Sequence, residues 1–348
     1  MTGAPPPPAD LASGLVAFLR EALGEPALEL ADGLTAVSGG FDTRIFAFRL
    51  AGVSPSSAGP LILRLLGPHH APARALREQV VQNTLANSGY PAPRVLCASA
   101  DVSTLGGAFL VMERVPGRAL IEDRIFNLGA VLVDLQARLH ALDADALLEA
   151  LGRSGPALRA RDVTFDGYLE QLGSRIAAGR LDGLEPAMRW LRSARPPEPA
   201  RRAICHGDFH PQNVLAEKGR VTGVLDWPNA LVADPAYDVA STRIILRFAP
   251  VELMDVSAPL RLVVRAARVI LARRYLSGYR RRRPIDPGVL AYYEAASIMR
   301  ALVRAAEQRR RPDGPTNPLD ASSFADDLAA HFASVSGIQP GLPPRPVS

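Results

Sequence analysis

The sequence predicts an α+β protein in two lobes, a small antiparallel β lobe with one main helix followed by a larger, mostly α lobe. Three observations carry this. Between residues 34 and 66 the runs LTAVSGG, IFAFRL and PLILRLL are short, aliphatic or aromatic, and separated by glycine and proline, as strands joined by tight turns are. Residues 73–87 (ARALREQVVQNTLAN) then read as a helix that Ser88, Gly89 and Pro91 stop. Beyond Pro116 and Gly117 the character becomes helical, most strongly over residues 128–142.

The remaining elements follow in order. MTGAPPPP reads as a disordered leader, after which Asp10 can cap a helix running to Leu23 through Leu11, Leu15, Phe18 and Leu19. Two further strands are expected at residues 94–98 and 109–113, and weaker helices at 166–177 and 186–193. Proline and charge cluster at 194–202, a loop and a hairpin follow, and long helices fill 239–311. The expected organisation is a leader and helix (1–30), a β-rich lobe (31–115), a mostly helical lobe (116–336) and a flexible tail (337–348).

Composition narrows the class. With 348 residues, 48% hydrophobic and 22% charged, a disordered chain is excluded. Two cysteines, Cys97 and Cys205, exclude a disulfide framework or a four-cysteine zinc site, and the opening residues lack a signal-peptide pattern, so a cytoplasmic protein is expected. The apolar run 260–276 carries Arg261, Arg265, Arg268, Arg273 and Arg274, too many charges for a bilayer span. The net charge of +5 is uneven: residues 239–311 hold sixteen arginines against five acids. Lys218 is the sole lysine, so every other fixed positive side chain is an arginine.

The informative stretch is His206-Gly207-Asp208-Phe209-His210-Pro211-Gln212-Asn213, followed by Leu225-Asp226-Trp227. Residues 214–215 and 221–225 flank a turn at 217–220 and can pair as a hairpin whose open end carries Asn213 and Asp226. Phosphoryl transfer needs a carboxylate to orient or deprotonate a hydroxyl, and hard oxygens to hold Mg²⁺ against nucleotide phosphates. Asp208, Asn213 and Asp226 supply that set. The HxD-plus-Asn pattern alone arises by composition in roughly one chain in a hundred. The hairpin, the second aspartate and an upstream strand lobe with a glycine turn, in that order, strengthen it. The plainer reading makes Asp208 and Asn213 turn caps and Asp226 a strand end.

HGDFHPQNVL, GVLDW and ADPAYDVA resemble the aminoglycoside phosphotransferase and choline kinase group of the protein-kinase-like fold, over roughly residues 30–310. The resemblance implies ATP and Mg²⁺ as cofactors, Asp208 as catalytic base, and Asn213 and Asp226 as metal ligands. Asp234 and Asp238 are lesser candidates that a turn and a helix cap would explain. It also implies a nucleotide in the β lobe, where Ser38, Gly39 and Gly40 could bring backbone N–H groups over phosphates; a double glycine is otherwise a hairpin turn. Arg64 stands where protein kinases carry lysine, with Glu78 as its partner; alternatively Arg64 snorkels and Glu78 faces solvent. Adenine would dock on the backbone from Glu113 to Val115.

Other polar residues stay secondary. His140 reads as a helix-packing histidine, His206 as an orienter of the loop, and His210 as either structural or near the acceptor. His69-His70 has no further ligands for a metal, and Cys205 no base partner for covalent catalysis. The expected partner is a small hydroxyl compound, neutral or anionic rather than polycationic, given the arginines of 239–311; the plainer and favoured reading of arginines such as Arg280 to Arg283 is a solvated outer face. The alternative is an arginine-rich binder of nucleic acid or an acidic partner with a vestigial site, disfavoured by the few aromatics near the basic run.

Overall fold

A computed structural model describes residues 9–37, 43–54, 58–122, 127–155, 158–249, 257–311 and 323–344. In chain order the strands are β1 (Glu29–Leu30), β2 (Thr35–Ala36), β3 (Thr43–Phe48), β4 (Leu50–Ala51), β5 (Leu61–Leu66), β6 (Val95–Ser99), β7 (Phe109–Glu113), β8 (Arg118–Ala119), β9 (Ala203–Cys205), β10 (Val214–Glu217), β11 (Arg220–Val224) and β12 (Leu231–Ala233). The α-helices are α1 (Ala9–Leu23), α2 (Ala73–Asn87), α3 (Val102–Leu105), α4 (Leu128–Leu139), α5 (Ala144–Arg153), α6 (Phe165–Ala178), α7 (Glu185–Ser193), α8 (Pro235–Phe248), α9 (Ala258–Arg282), α10 (Pro287–Arg309) and α11 (Phe324–Ser336). No described helix is long and apolar enough to cross a membrane.

The chain divides into two compact units. The first comprises residues 1–123, 149–159 and 214–228, the second 124–148, 160–213 and 229–348. The hairpin after the HGD loop, expected in the helical lobe, thus belongs to the first unit. That unit is built on an antiparallel sheet of order β2-β3-β5-β7-β6. Strand periodicity sends alternate residues of β5 to opposite faces. Leu61, Leu63 and Leu65 join Leu11, Leu15 and Leu19 of α1 in one core with Phe46, Phe48, Phe109 and Val111. The i, i+4, i+8 spacing of those helical leucines makes α1 a wall of this core rather than a preceding element. Leu66, Leu110, Met112 and Val95 pack with Ala75 of α2 in a second cluster, with Ile62 against it. A smaller sheet of order β11-β10-β8 completes the unit.

The second unit is mostly helical, with the short antiparallel pair β9–β12 matching Cys205 to Leu231 and Ala203 to Ala233. Its aromatic centre joins Phe165, Tyr168, Tyr237 and Tyr293, the Phe165 and Tyr293 rings meeting edge to face at 5.1 Å. Residues 337–344, expected as a tail, are fastened there: Gly341 donates its N–H to Gly183 O at 2.8 Å, and Arg309 donates to Pro343 O at 3.1 Å.

Candidate active site

In the β-rich unit the alternation of β5 turns Arg64 away from the α1 core, toward the face that carries α2. There Arg64 Nη1 donates to Glu78 Oε2 at 2.9 Å and Nη2 to Asp226 Oδ1 at 2.7 Å. The Glu78 side chain is 0% exposed, so the solvated-helix reading of Glu78 does not hold. A carboxylate so buried needs cations, and it has two, since Arg74 Nε donates to Oε1 at 3.1 Å. Burial would lower the Arg64 pKa, but Glu78 and Asp226 outweigh it and raise it above the ordinary arginine value. Arg64 is therefore a fixed positive charge held in a fork between two carboxylates. Arg74 escaped the sequence reading; its position four residues before Glu78 on one helix was the available signal. Arg74 also meets His70 Nδ1 at 2.8 Å, which gives that histidine a partner in its loop.

Asp226 reaches Arg64 because the end of β11 is pinned. Val224 donates its N–H to Pro91 O at 2.7 Å, and the buried Trp227 donates Nε1 to Val224 O at 2.8 Å while its ring meets Tyr90 edge to face. Between these anchors Asp226 adopts a left-handed conformation, φ 67°, uncommon outside glycine and the short polar residues. Glu113, the last residue of β7, donates its N–H to Arg94 O at 2.9 Å and accepts the Arg94 N–H on Oε2 at 3.2 Å. Val115 packs on the hairpin, where a Cβ at Gly223 would lie 2.8 Å from its Cγ1. Gly117, at φ 107°, leaves only 2.5 Å between a Cβ and Ala216 O, and Thr222 Oγ1 donates to Pro116 O at 2.6 Å. Residues 115–117 are thereby fixed against β10 and β11. Ser38, Gly39 and Gly40 lie outside the described residues.

In the helical unit the HGD loop leaves β9 and is bonded at nearly every peptide. Gly207 takes φ 74°, and a Cβ there would lie 2.6 Å from Asn229 O, so only glycine fits. Its N–H donates to Asp238 Oδ1 at 2.7 Å; its carbonyl accepts from Ser241 Oγ at 3.0 Å and from Arg300 Nη2. Asp208 donates its N–H to His206 Nδ1 at 3.2 Å, which gives the buried His206 an orienting contact. Asn213 Nδ2 donates to Asp208 O at 3.0 Å, which leaves the amide Oδ1 as the end suited to a cation. His210 Nε2 lies 3.8 Å from Asp208 Oδ1, and the Asp208 side chain keeps 29% exposure, enough to meet a small molecule.

Behind the loop runs a buried polar chain. Tyr279 O–H meets His140 Nδ1 at 2.6 Å, and His140 Nε2 meets Asp238 Oδ2 at 3.1 Å. Burial would raise the Asp238 pKa, but His140, His206 and the Gly207 N–H outweigh it and hold the carboxyl below its usual range. Asp234 is the helix cap expected, accepting the Ala236 N–H at 2.8 Å. Asp238 is not a cap: its carboxylate ties α8 to the loop, and it recruits His140, expected only to pack. Ser241, Tyr279 and Arg300 gave no local signal, since their partners lie tens of residues away in sequence.

Asn213 carries an amide oxygen and Asp226 a carboxylate, each a hard oxygen of the kind that suits Mg²⁺. Among the described residues no group of three or more His, Cys, Asp or Glu is arranged to hold a metal.

The fold is α+β and protein-kinase-like, shared at low identity with solved phosphotransferases. A protein of Ralstonia eutropha assigned to the aminoglycoside phosphotransferases superposes with TM-score 0.60 at 21% identity, covering 93% of this chain and 98% of that one. Aminoglycoside-3'-phosphotransferase of type VIII gives 0.53 at 22%, covering 83% and 98%. In sequence the chain is 30% identical over 174 residues to acyl-CoA dehydrogenase family member 11 of Gallus gallus, 47% of this chain and 22% of that protein. It is 32% identical over 160 residues to the aminoglycoside 3'-phosphotransferase of Streptomyces fradiae, 44% and 57% of the two. The chain thus spans between 17% and 31% of the length of the dehydrogenase-named relatives. The model of the phosphotransferase enzyme family matches residues 33–285, and the chain belongs to that family.

Proposed function

We propose that the protein is an ATP-dependent small-molecule kinase that moves the γ-phosphoryl group to a substrate hydroxyl. The observation that carries this is the HGD loop itself: a partly exposed aspartate whose backbone is bonded on both sides, with Asn213 fastened to its carbonyl. Asp208 takes the hydroxyl proton on its carboxylate as the hydroxyl oxygen bonds to the γ-phosphorus and the bond to the β-phosphate oxygen breaks, with ADP leaving. Asn213 and Asp226 would hold Mg²⁺, which when bound neutralises phosphate charge. Arg64, braced by Glu78, supplies a fixed cation to the α- and β-phosphates, and the backbone from Glu113 to Val115 receives adenine. A solved relative, APH(4)-Ia, forms a ternary complex with ADP and hygromycin B, which supports nucleotide use; it matches at TM-score 0.53 and 18% identity.

For the acceptor, a neutral or anionic hydroxyl compound is favoured over a polycation. That preference rests on the excess of arginine over acid in residues 239–311, sixteen against five. Arginine-rich surfaces repel an aminoglycoside's ammonium groups and attract carboxylates or phosphates. The testing experiment is thermal unfolding with a non-hydrolysable ATP analogue, with and without Mg²⁺. At a hundredfold excess over Kd the analogue adds about 2.7 kcal/mol. That gain should need Mg²⁺ and should shrink in Asn213→Ala and Asp226→Ala; an equal gain in both variants defeats the assignment. Adding a panel of hydroxylated metabolites and antibiotics then identifies the acceptor.

A further inference from the structure

We infer that Arg300 of α10 is a positioning residue, which clamps the Gly207 carbonyl and thereby sets the direction of the Asp208 carboxylate; this rests on the reading of Asp208 as the base. Asp208 follows Gly207 directly, so the peptide plane between them decides where its side chain points. That plane is held from both ends. The Gly207 carbonyl receives Arg300 Nη2 and, at 3.0 Å, Ser241 Oγ, while the Asp208 N–H is taken by His206. The missing side chain at Gly207 makes the approach possible, since a Cβ there would sit 3.3 Å from Arg300 Nη1.

The guanidinium is itself fixed. Its Nη1 reaches Tyr237 O–H at 3.5 Å, and Tyr237 is wholly buried beside Tyr168. Tyr168 in turn donates its O–H to Ala296 O at 2.6 Å, one turn before Arg300 on the same helix. Burial opposes the charge on Arg300, but Tyr237, Tyr168, Asp208 and Asp238 together raise its pKa above the ordinary arginine value. A cation on a peptide carbonyl is a charge-assisted hydrogen bond, shorter and stronger than a neutral one. Ser241, a neutral donor to the same oxygen, is its weaker companion. Arg300 thus differs from exposed arginines of 239–311 such as Arg281 and Arg282 in binding the HGD loop, and in this role it acts through the Gly207 peptide.

The test uses the full chain with Arg300→Met, Arg300→Lys and Ser241→Ala. Hydrogen exchange over residues 206–213 reads the clamp without any substrate. It should speed up roughly 10- to 100-fold in Arg300→Met and roughly 2- to 10-fold in Ser241→Ala, with lysine restoring part of the protection. In turnover normalised to folded protein, kcat should fall by a similar factor while KM for Mg-ATP stays within about twofold. Should Arg300→Met fail to fold, Arg300→Lys and Ser241→Ala carry the same comparison. Loop exchange within twofold of wild type in the folded variants overturns the clamp, as does a loss that disappears on normalising to folded protein. A wild-type chain that transfers no phosphoryl group defeats the kinase reading instead, and leaves the exchange result to decide the clamp.

Discussion

Removing the Asp238 carboxylate should be among the most damaging single changes in the helical unit. The side chain is 0% exposed and each oxygen is used, Oδ1 by the Gly207 N–H at 2.7 Å and Oδ2 by His140 Nε2 at 3.1 Å. Asp238→Ala strands both donors in a site closed to water, at a cost of about 1–3 kcal/mol each, or about 3–5 kcal/mol for breaking a buried charged pair. Against a total stability of about 5–15 kcal/mol this brings the protein close to unfolding. Asp238→Asn keeps an oxygen for one donor and loses the charge, for about 1–3 kcal/mol. Urea titration at pH 7 measures both, and the ordering wild type, Asn, Ala is expected. The pH dependence adds a second check. Because the folded carboxyl sits below its usual range, it contributes stability above the ordinary aspartate pKa and loses it as pH falls through the lower folded value. The acid limb of the stability curve should therefore be shallower in Asp238→Asn. An alanine variant within 1 kcal/mol of wild type would show that the chain from Tyr279 to Gly207 does not hold the loop.

Three further outcomes are expected. Gly207→Ala forces a methyl against Asn229 O at 2.6 Å and a non-glycine residue to φ 74°, so turnover should collapse while nucleotide binding persists; fluorescence titration with an ATP analogue alongside rates checks this. Both thiols are buried, and the Cys97 pKa is pushed up to about 12, so a thiol reagent at pH 8 should label the native protein slowly and unfolded protein fully. His331 is held down to about 4 by burial and by Arg247 and Arg243, so its ring should stay neutral at pH 5 by NMR; since its folded pKa lies below the unfolded one, it costs stability as pH falls from about 6.5 toward 4.

Local patterns made much of the fold legible. Residues 73–87 match α2, the run 109–113 matches β7, and the turn at 217–220 joins β10 to β11. Each is set by contacts within a few residues, where periodicity and turn chemistry act. α5 and α11 escaped notice, and the place of α1 in the sheet core could not be read because it depends on partners up to a hundred residues away. The site divides in the same way. Asp208, Asn213 and Asp226 stood out by their spacing, and Arg64 meets Glu78 as the sequence order suggested. Asp238 was legible only as a lesser candidate explained by a cap, and His140, Tyr279 and Arg300 did not show their roles, because each touches the loop or its support across long stretches of chain, and nothing in a single sequence marks which of sixteen arginines reaches the HGD loop.

A single-turnover experiment with ATP labelled at its γ-phosphate, using whichever hydroxyl compound stabilises the protein, puts the kinase reading at greatest risk. Wild type should pass the label to that compound in the presence of Mg²⁺, and Asp208→Asn should bind the nucleotide yet transfer at a rate lower by at least a hundredfold. Label moving equally fast in Asp208→Asn would mean that the carboxylate of the HGD loop takes no proton in the reaction.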